Sequence, residues 1–218
     1  MNQDTGWKEF FADNGRYADL INGIVFTGSP VVSETDLQEL DTQTGFFRSH
    51  RLQTGRPAGG RKSGLRKRNR IRDAIRKAAF GVNFAVIGIE SQENIDYSMP
   101  LRSMVYDAGG YERQADEIRR KIRDQKKIRD YTEALSPGEY LYDFGKDSRL
   151  HPVVTFLLYS GVEEWDGPKS LHGMIDFTDI PPEMRELVSD YHVNLIEIRK
   201  FQNTKVFKTD VKQVFDFI

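Results

Sequence analysis

The residues that could do chemistry stand around one apolar run. Glu90 and Gln92 close the run 84–92, and Asp73 lies upstream in a basic segment. A run that is apolar on both faces is typical of a strand in the middle of a sheet. Because side chains alternate along a strand, Glu90 and Gln92 point to one face and Ser91 to the other. We therefore expect Glu90 at the mouth of a core, with its partner on a neighbouring element.

Asp73 is the nearest candidate for that partner. Two carboxylates that converge at the end of a buried strand repel each other and lose hydration, unless a cation neutralises them. Carboxylate oxygens are hard ligands that suit Mg²⁺, Mn²⁺ or Ca²⁺. The pair Asp73 and Glu90 thus predicts a divalent metal site. The alternative is that Glu90 and Gln92 simply end a strand in solvent.

A strongly basic block surrounds Asp73. Between residues 48 and 77 the chain has twelve Lys or Arg and one acid, although the net charge of the whole chain is -1. Such a block attracts a phosphate backbone, because neutralised phosphates release their counterions. The alternative is a solvated, glycine-rich loop over 48–67. The predicted phosphate-binding residues are Arg66, Lys67, Arg68, Arg70, Arg72, Arg76 and Lys77.

The spacing of apolar residues predicts the helices and strands that must position these groups. The predicted elements are an amphipathic helix over 7–26, a helix opening at 33–36, the Glu90 strand, a long helix over 100–130 with a kink at 109–110, a polar connection over 136–148, strands over 152–159 and 193–198, a helix start at 181–183 and a closing helix over 207–217. Their order predicts an α/β fold with a mixed central sheet flanked by helices. We expect a single domain over 1–218, with a basic loop insertion around 48–69.

Composition excludes several other classes of protein. The chain has 218 residues, of which 38% are hydrophobic and none is cysteine, so thiolate metal sites and disulfides are excluded. The four histidines show no metal-ligand spacing. The N-terminus has no apolar signal region, which predicts a cytoplasmic protein without a membrane segment.

Several segments occur together in an order that resembles a known family. They are Arg72–Asp73, Ile89–Gln92, Met99–Arg102, Tyr106–Asp107, 17–22, 152–161 and 165–171. This set resembles the recombination-promoting nuclease (Rpn) family, also labelled transposase-like, within the PD-(D/E)xK nuclease superfamily. The resemblance implies a restriction-endonuclease-like core and a metal-dependent DNA endonuclease, and many nucleases of this fold act as homodimers. No heptad pattern marks a dimer interface here.

The resemblance also implies roles for individual residues. Asp73 and Glu90, with the Ser91 backbone carbonyl, would hold one or two divalent ions, and Gln92 would complete the catalytic set. Superfamily members often carry a further acid on the first core helix, and Asp19 stands at that place. Two other interpretations of Asp19 are an ion pair with Arg16 and a turn cap.

Gln92 departs from the lysine that is usual in the superfamily. An amide can orient a water molecule but cannot neutralise charge. We expect Arg76 or Lys77 to supply the missing charge. The alternative function is a catalytically degenerate nuclease fold that binds nucleic acid without cutting it. A weaker one is RNA cleavage, with tyrosines at 97, 106, 111 and 140 stacking on bases.

Overall fold

A computed structural model describes residues 3–40, 43–44, 70–71, 74–80, 83–128 and 134–218. Its helices are α1 (Gln3–Phe10), α2 (Asn14–Phe26), α3 (Met99–Gln125), α4 (Pro137–Tyr142), α5 (Pro182–Leu187) and α6 (Val211–Phe217). Its strands are β1 (Leu37–Glu39), β2 (Gln43–Thr44), β3 (Arg70–Ile71), β4 (Ala74–Phe80), β5 (Asn83–Gln92), β6 (Val153–Tyr159) and β7 (Asn194–Glu197). The fold is α/β, as the order of elements predicted.

Five strands form a mixed central sheet in the order β1-β4-β5-β6-β7. β4 is antiparallel to both of its neighbours, β1 and β5, whereas β6 is parallel to β5 and β7 is parallel to β6. β5 is therefore a central strand, as its apolar run predicted. β2 and β3 form a separate antiparallel pair. This pair joins the two ends of segment 45–69, which lies outside the described residues.

Each face of the sheet packs against different helices. The larger core lies on the side of α1, α2 and α6 and includes Ile87, Ile89 and Leu158. On the other side, Val86 and Val153 form one cluster, and Leu157 packs with Met99 at the start of α3. The alternation of side chains along each strand sorts residues between these two cores. Even-numbered positions of β5 therefore face α3.

Several predicted elements differ from the observed ones. The helix predicted over 7–26 is two helices, because Asp13 caps a new start by accepting a hydrogen bond from the Arg16 amide. The segment after Ser33 forms one 3-10 turn and then strand β1, because Leu37 to Glu39 pair with β4. The connection over 136–148 contains α4, which begins with a capping box between Ser136 and Glu139.

The long helix α3 begins at Met99, with Pro100 in its first turn. Gly109 and Gly110 do not interrupt it. Gly110 instead allows close packing, since a Cβ there would lie 2.7 Å from Cγ1 of Val153. In the described part of the chain, no helix is both long and apolar enough to span a bilayer.

Candidate active site around Glu90

Glu90 is a buried charge on the central strand. It pairs with Leu157 of β6, and only 3% of its surface is exposed. Its neighbour Ile89 belongs to the core on the opposite side of the sheet. Glu90 therefore faces α3, and a buried carboxylate at such a place needs partners.

In the described part of the chain, the side chains of Arg102, Gln92 and Tyr106 donate to one oxygen of Glu90. Nη2 of Arg102 forms a short ion pair with Oε1 of Glu90. Nε2 of Gln92 lies 3.2 Å from the same oxygen, and the hydroxyl of Tyr106 lies 3.4 Å from it. Arg102 and Tyr106 are four residues apart on α3, so both lie on the helix face toward the strand. The Tyr106 hydroxyl also accepts a hydrogen bond of 3.0 Å from Nη2 of Arg102.

Arg102 has a second anchor in the loop before α3. Its Nη1 donates to Oδ2 of Asp96 at 2.6 Å. Asp96 in turn accepts hydrogen bonds of 2.8 and 2.6 Å from the backbone and hydroxyl of Ser98. Burial alone would raise the pKa of Asp96, but the bonds from Ser98 and Arg102 outweigh it and hold the pKa below its usual value. Asp96 therefore stays ionised and fixes the guanidinium.

The charge state of this cluster follows from the same contacts. Burial would lower the pKa of Arg102, but the negative charge of Glu90 and the hydrogen bonds with Tyr106 and Asp96 together outweigh it and raise that pKa. Burial also raises the pKa of Tyr106, and the charge of Glu90 adds to the effect. At neutral pH the guanidinium is thus charged and the phenol is neutral.

Solvent reaches this cluster from the side of the arginine. The side chain of Arg102 is 24% exposed, whereas that of Glu90 is 4% exposed. The guanidinium therefore forms the more accessible part of the pair, and the carboxylate lies deeper.

The other predicted metal ligands are not assembled with Glu90 by the described residues. Asp73 lies outside the described residues, although Ala74, the next residue, pairs with Ile89. Ser91 is buried and pairs with Leu158 of β6. Within the described ranges, no group of three His, Cys, Asp or Glu side chains could hold a metal ion.

Asp19 lies on α2, which packs on the opposite side of the sheet from Glu90. It accepts hydrogen bonds from the backbone amides of Lys208 and Thr209 and from the Thr209 hydroxyl, at 2.7 to 3.0 Å. The alternative ion pair with Arg16 is wrong, because Arg16 pairs with Asp210 instead. The interpretation of Asp19 as a cap fits the observed contacts.

Arg76 is buried, and its contacts stabilise the fold. It is 1% exposed, and its guanidinium donates to the carbonyls of Phe11, Ala12 and Ile75 and to the side chain of Asn14. A phosphate cannot reach a guanidinium in this position while the fold is intact. Arg76 also shares its side of the sheet with the α2 core, so it does not supply charge next to Glu90.

Lys77 is on the same side of the sheet as Glu90 but farther along it. It pairs with Val86, four residues before Glu90, which is about 13 Å along a strand. Arg70 lies in β3, where only the backbone is described. The predicted phosphate-binding residues Arg66, Lys67, Arg68 and Arg72 lie outside the described residues. Among the described residues, Arg102 is a cation that contacts Glu90.

Sequence reasoning cited Arg102 only as part of the resemblance, and it gave Tyr106 a role only as a base-stacking residue, although Tyr106 is buried. Their spacing of four residues at the start of a predicted helix was the available signal. It also gave no role to Asp107, another buried acid. Thr155 of β6 donates to Asp107 at 2.5 Å, and the Tyr191 hydroxyl donates to its other oxygen. These contacts tie α3 to the sheet and so fix the position of the neighbouring Tyr106.

A separate groove of about 490 Å³ lies on another part of the surface. Its lining includes Trp7, Phe10, Arg199 and Phe217, and does not include Glu90. The groove therefore contributes nothing to the cluster around Glu90.

No family model, curated protein or solved structure matches this chain.

Proposed function

We propose that this chain is a divalent-metal-dependent DNA endonuclease of the recombination-promoting kind, with a PD-(D/E)xK core. One observation carries the proposal: Glu90, a glutamate 3% exposed, lies on the central strand with its own set of charged and amide donors. A buried carboxylate costs free energy, so its presence at the carboxyl end of a strand favours a functional role.

Two features of the fold support the proposal. The five-stranded mixed sheet flanked by helices agrees with the core that the resemblance implies. β2, at one end of the basic segment 45–69, approaches α3, the helix that carries Arg102. The segment with eight of the twelve cations of the basic block therefore begins and ends on the side of the sheet that α3 covers, which is also the side that Glu90 faces, and this suits a phosphate backbone as the partner.

The carboxylate of Glu90 and the amide oxygen of Gln92 suit a hard divalent ion in kind, because carboxylate and amide oxygens are its usual ligands. They supply one carboxylate, so a metal site would require Asp73, which lies outside the described residues, as its second acid. A bound ion would lower the pKa of a water molecule and balance charge on the phosphoryl oxygens. Gln92 would orient that water through its amide, while Tyr106 and Arg102 hold Glu90 in place.

A second function, nucleic-acid binding without cutting, is favoured by a different observation. Arg102 already neutralises Glu90, and Gln92 is an amide where a lysine would carry charge. A site that is neutral in this way can persist in a fold that has lost catalysis.

Cleavage of supercoiled plasmid separates the two functions. Wild type, Glu90→Gln and the control Glu117→Gln, an exposed acid on α3, would each be incubated in EDTA and in Mg²⁺, Mn²⁺ or Ca²⁺. We expect nicking by wild type and by the control only with a metal, and a loss of at least about 100-fold in Glu90→Gln. A labelled RNA in parallel tests the RNA alternative.

Binding without nicking by all three proteins would contradict the endonuclease. A mobility shift of the plasmid at low salt, lost as salt rises, would then support the binding module. Asp73→Asn belongs in the same series, because the endonuclease requires its loss of cleavage to match that of Glu90→Gln.

A further inference from the structure

We propose that the surface formed by α4 and the end of α3 binds single-stranded nucleic acid, with the exposed rings of Tyr140 and Tyr142 stacking on unpaired bases. The inference extends the proposed function and rests on it for a nucleic acid as the partner. It adds that this nucleic acid has an unpaired stretch, and it uses neither Glu90 nor a metal ion.

The first support is the exposure of large side chains on α4. Tyr140, Leu141 and Tyr142 are 55%, 70% and 70% exposed. Three consecutive residues of this size in solvent mark a surface that has a partner. Every base has a flat apolar face, so an exposed aromatic ring can stack on any unpaired base.

The second support is the fixed position of this surface. Nζ of Lys126, at the end of α3, forms an ion pair with Asp143 and lies 4.1 Å from the centre of the Tyr140 ring. The capping box of Ser136 and Glu139 fixes the start of α4. The rings are therefore held before a ligand arrives, which reduces the entropy that binding costs.

The third support is the charge around the tyrosines. Residues 119–128 and 134–149 carry eight Lys or Arg side chains and four acids. Asp143 is paired with Lys126 and Arg123. Lys121 and Arg149 are exposed, and neither forms an ion pair with a described residue. These cations can neutralise phosphates next to the stacked bases.

The combination of rings and cations favours a single strand over a duplex. The cations alone would suit either, but the bases of a duplex already stack on each other and leave no face for Tyr140 or Tyr142. The surface is also remote from the candidate active site. Lys126 follows Arg102 by 24 residues along α3, which is about 36 Å. Substitutions on α4 therefore leave the contacts of Glu90 intact.

Fluorescence anisotropy of labelled oligo-dT in EDTA tests the proposal without any cleavage. For Tyr142→Ala we expect single-strand binding to weaken about tenfold, because one stacking ring is lost, and duplex binding to stay within about twofold. Tyr142→Phe keeps the ring and should bind like wild type. Oligo-U in parallel distinguishes RNA from DNA, and a Tyr142-dependent affinity for either supports the proposal.

Phe217→Ala is the matched control for an exposed ring. Phe217 is 93% exposed on α6, which packs on the opposite side of the sheet from α3. Its loss should leave oligo-dT affinity unchanged, and circular dichroism checks that each variant folds.

Arg149→Gln tests the cations separately. The slope of log affinity against log salt should become shallower by about 0.7 for the single strand, because one phosphate contact is lost. Lys212→Gln on α6 removes a cation that is paired with Asp216, and should leave the slope unchanged.

Two results would overturn the assignment. One is unchanged oligo-dT affinity in folded Tyr142→Ala, and the other is an equal loss for single strand and duplex. If Tyr142→Ala also alters sedimentation of the protein alone while oligo-dT affinity stays the same, the surface is a contact between copies of this chain.

The failure of this inference differs from the failure of the proposed function. If wild type nicks plasmid and Tyr142→Ala binds oligo-dT as well as wild type, the α4 surface is not a binding site and the endonuclease stands. If wild type binds oligo-dT through Tyr142 and nicks nothing, the endonuclease falls and this surface stands. If wild type binds no nucleic acid, both proposals fall together.

Discussion

Asp19 and Glu90 are two buried acids on opposite sides of one sheet, and they are held by different kinds of donor. Asp19 receives two backbone amides and a hydroxyl from residues 208–209. Within the described ranges, Glu90 receives hydrogen bonds from the side chains of Arg102, Gln92 and Tyr106. Backbone donors cannot move without local unfolding, whereas a side chain can rotate to another partner. The comparison indicates a structural role for Asp19 and an exchangeable one for Glu90.

The largest effect on stability should come from Asp19→Ala. Its loss leaves buried amides of the 208–209 segment without their acceptor, which should lower the free energy of unfolding by about 3 to 5 kcal/mol. Urea denaturation measures this. The control Asp124→Ala removes an exposed acid paired with Lys127 and should leave stability unchanged. Cleavage per folded molecule should be unchanged in both variants. A loss of cleavage per folded molecule in Asp19→Ala alone would instead support the predicted role of Asp19 as a metal ligand.

Arg76→Met tests whether the buried Arg76 has a structural role or contacts DNA. The carbonyls of Phe11 and Ala12 lose their donor, so we expect a loss of about 2 to 3 kcal/mol in the free energy of unfolding. The salt dependence of DNA binding should stay the same, because a buried guanidinium neutralises no phosphate. A shallower salt slope in the folded variant, compared with Lys121→Met on the exposed face of α3, would show that Arg76 does contact DNA.

Glu90→Gln should cost less stability than either change. The glutamine keeps a carbonyl oxygen for the donors, and Arg102 keeps Asp96 as an ion-pair partner. We expect the free energy of unfolding, measured by urea denaturation, to fall by about 1 to 2 kcal/mol. Plasmid nicking should fall as well, as described above. If Glu90→Gln lowered the free energy of unfolding as much as Asp19→Ala, Glu90 would have a structural role like that of Asp19.

Tyr106→Phe should have the smallest effect on stability. It should lower the free energy of unfolding by about 0.5 to 1 kcal/mol at neutral pH, because one hydroxyl is lost. Burial and then the charge of Glu90 raise the pKa of Tyr106, so its folded-state pKa lies above the unfolded value of about 10. The stability that the neutral phenol contributes is fully present below that unfolded pKa and is lost as pH rises through the folded pKa. The difference between wild type and variant should therefore shrink above about pH 10. A difference that is constant up to pH 11 would contradict this assignment.

The sequence by itself determined the central strand, the shared face of Glu90 and Gln92 on that strand, the long helix α3 and the α/β order of elements. These follow from the period of apolar residues, which is a local property of the chain. Short elements were less well predicted. Ser33 and its neighbours carry a helix-start pattern, but pairing with β4 converts the next residues into β1.

Only the tertiary structure decided which group each charge meets. Asp19 contacts Lys208, which lies 189 residues away in the chain, and Arg76 reaches carbonyls more than 60 residues before it. Arg102 is on the face of α3 that meets Glu90 because Gly110 and Asp107 fix how that helix lies on β6. Periodicity gives the faces of a helix and a strand, but their relative position depends on packing between distant segments. The partner of Glu90 could therefore not be identified from spacing alone.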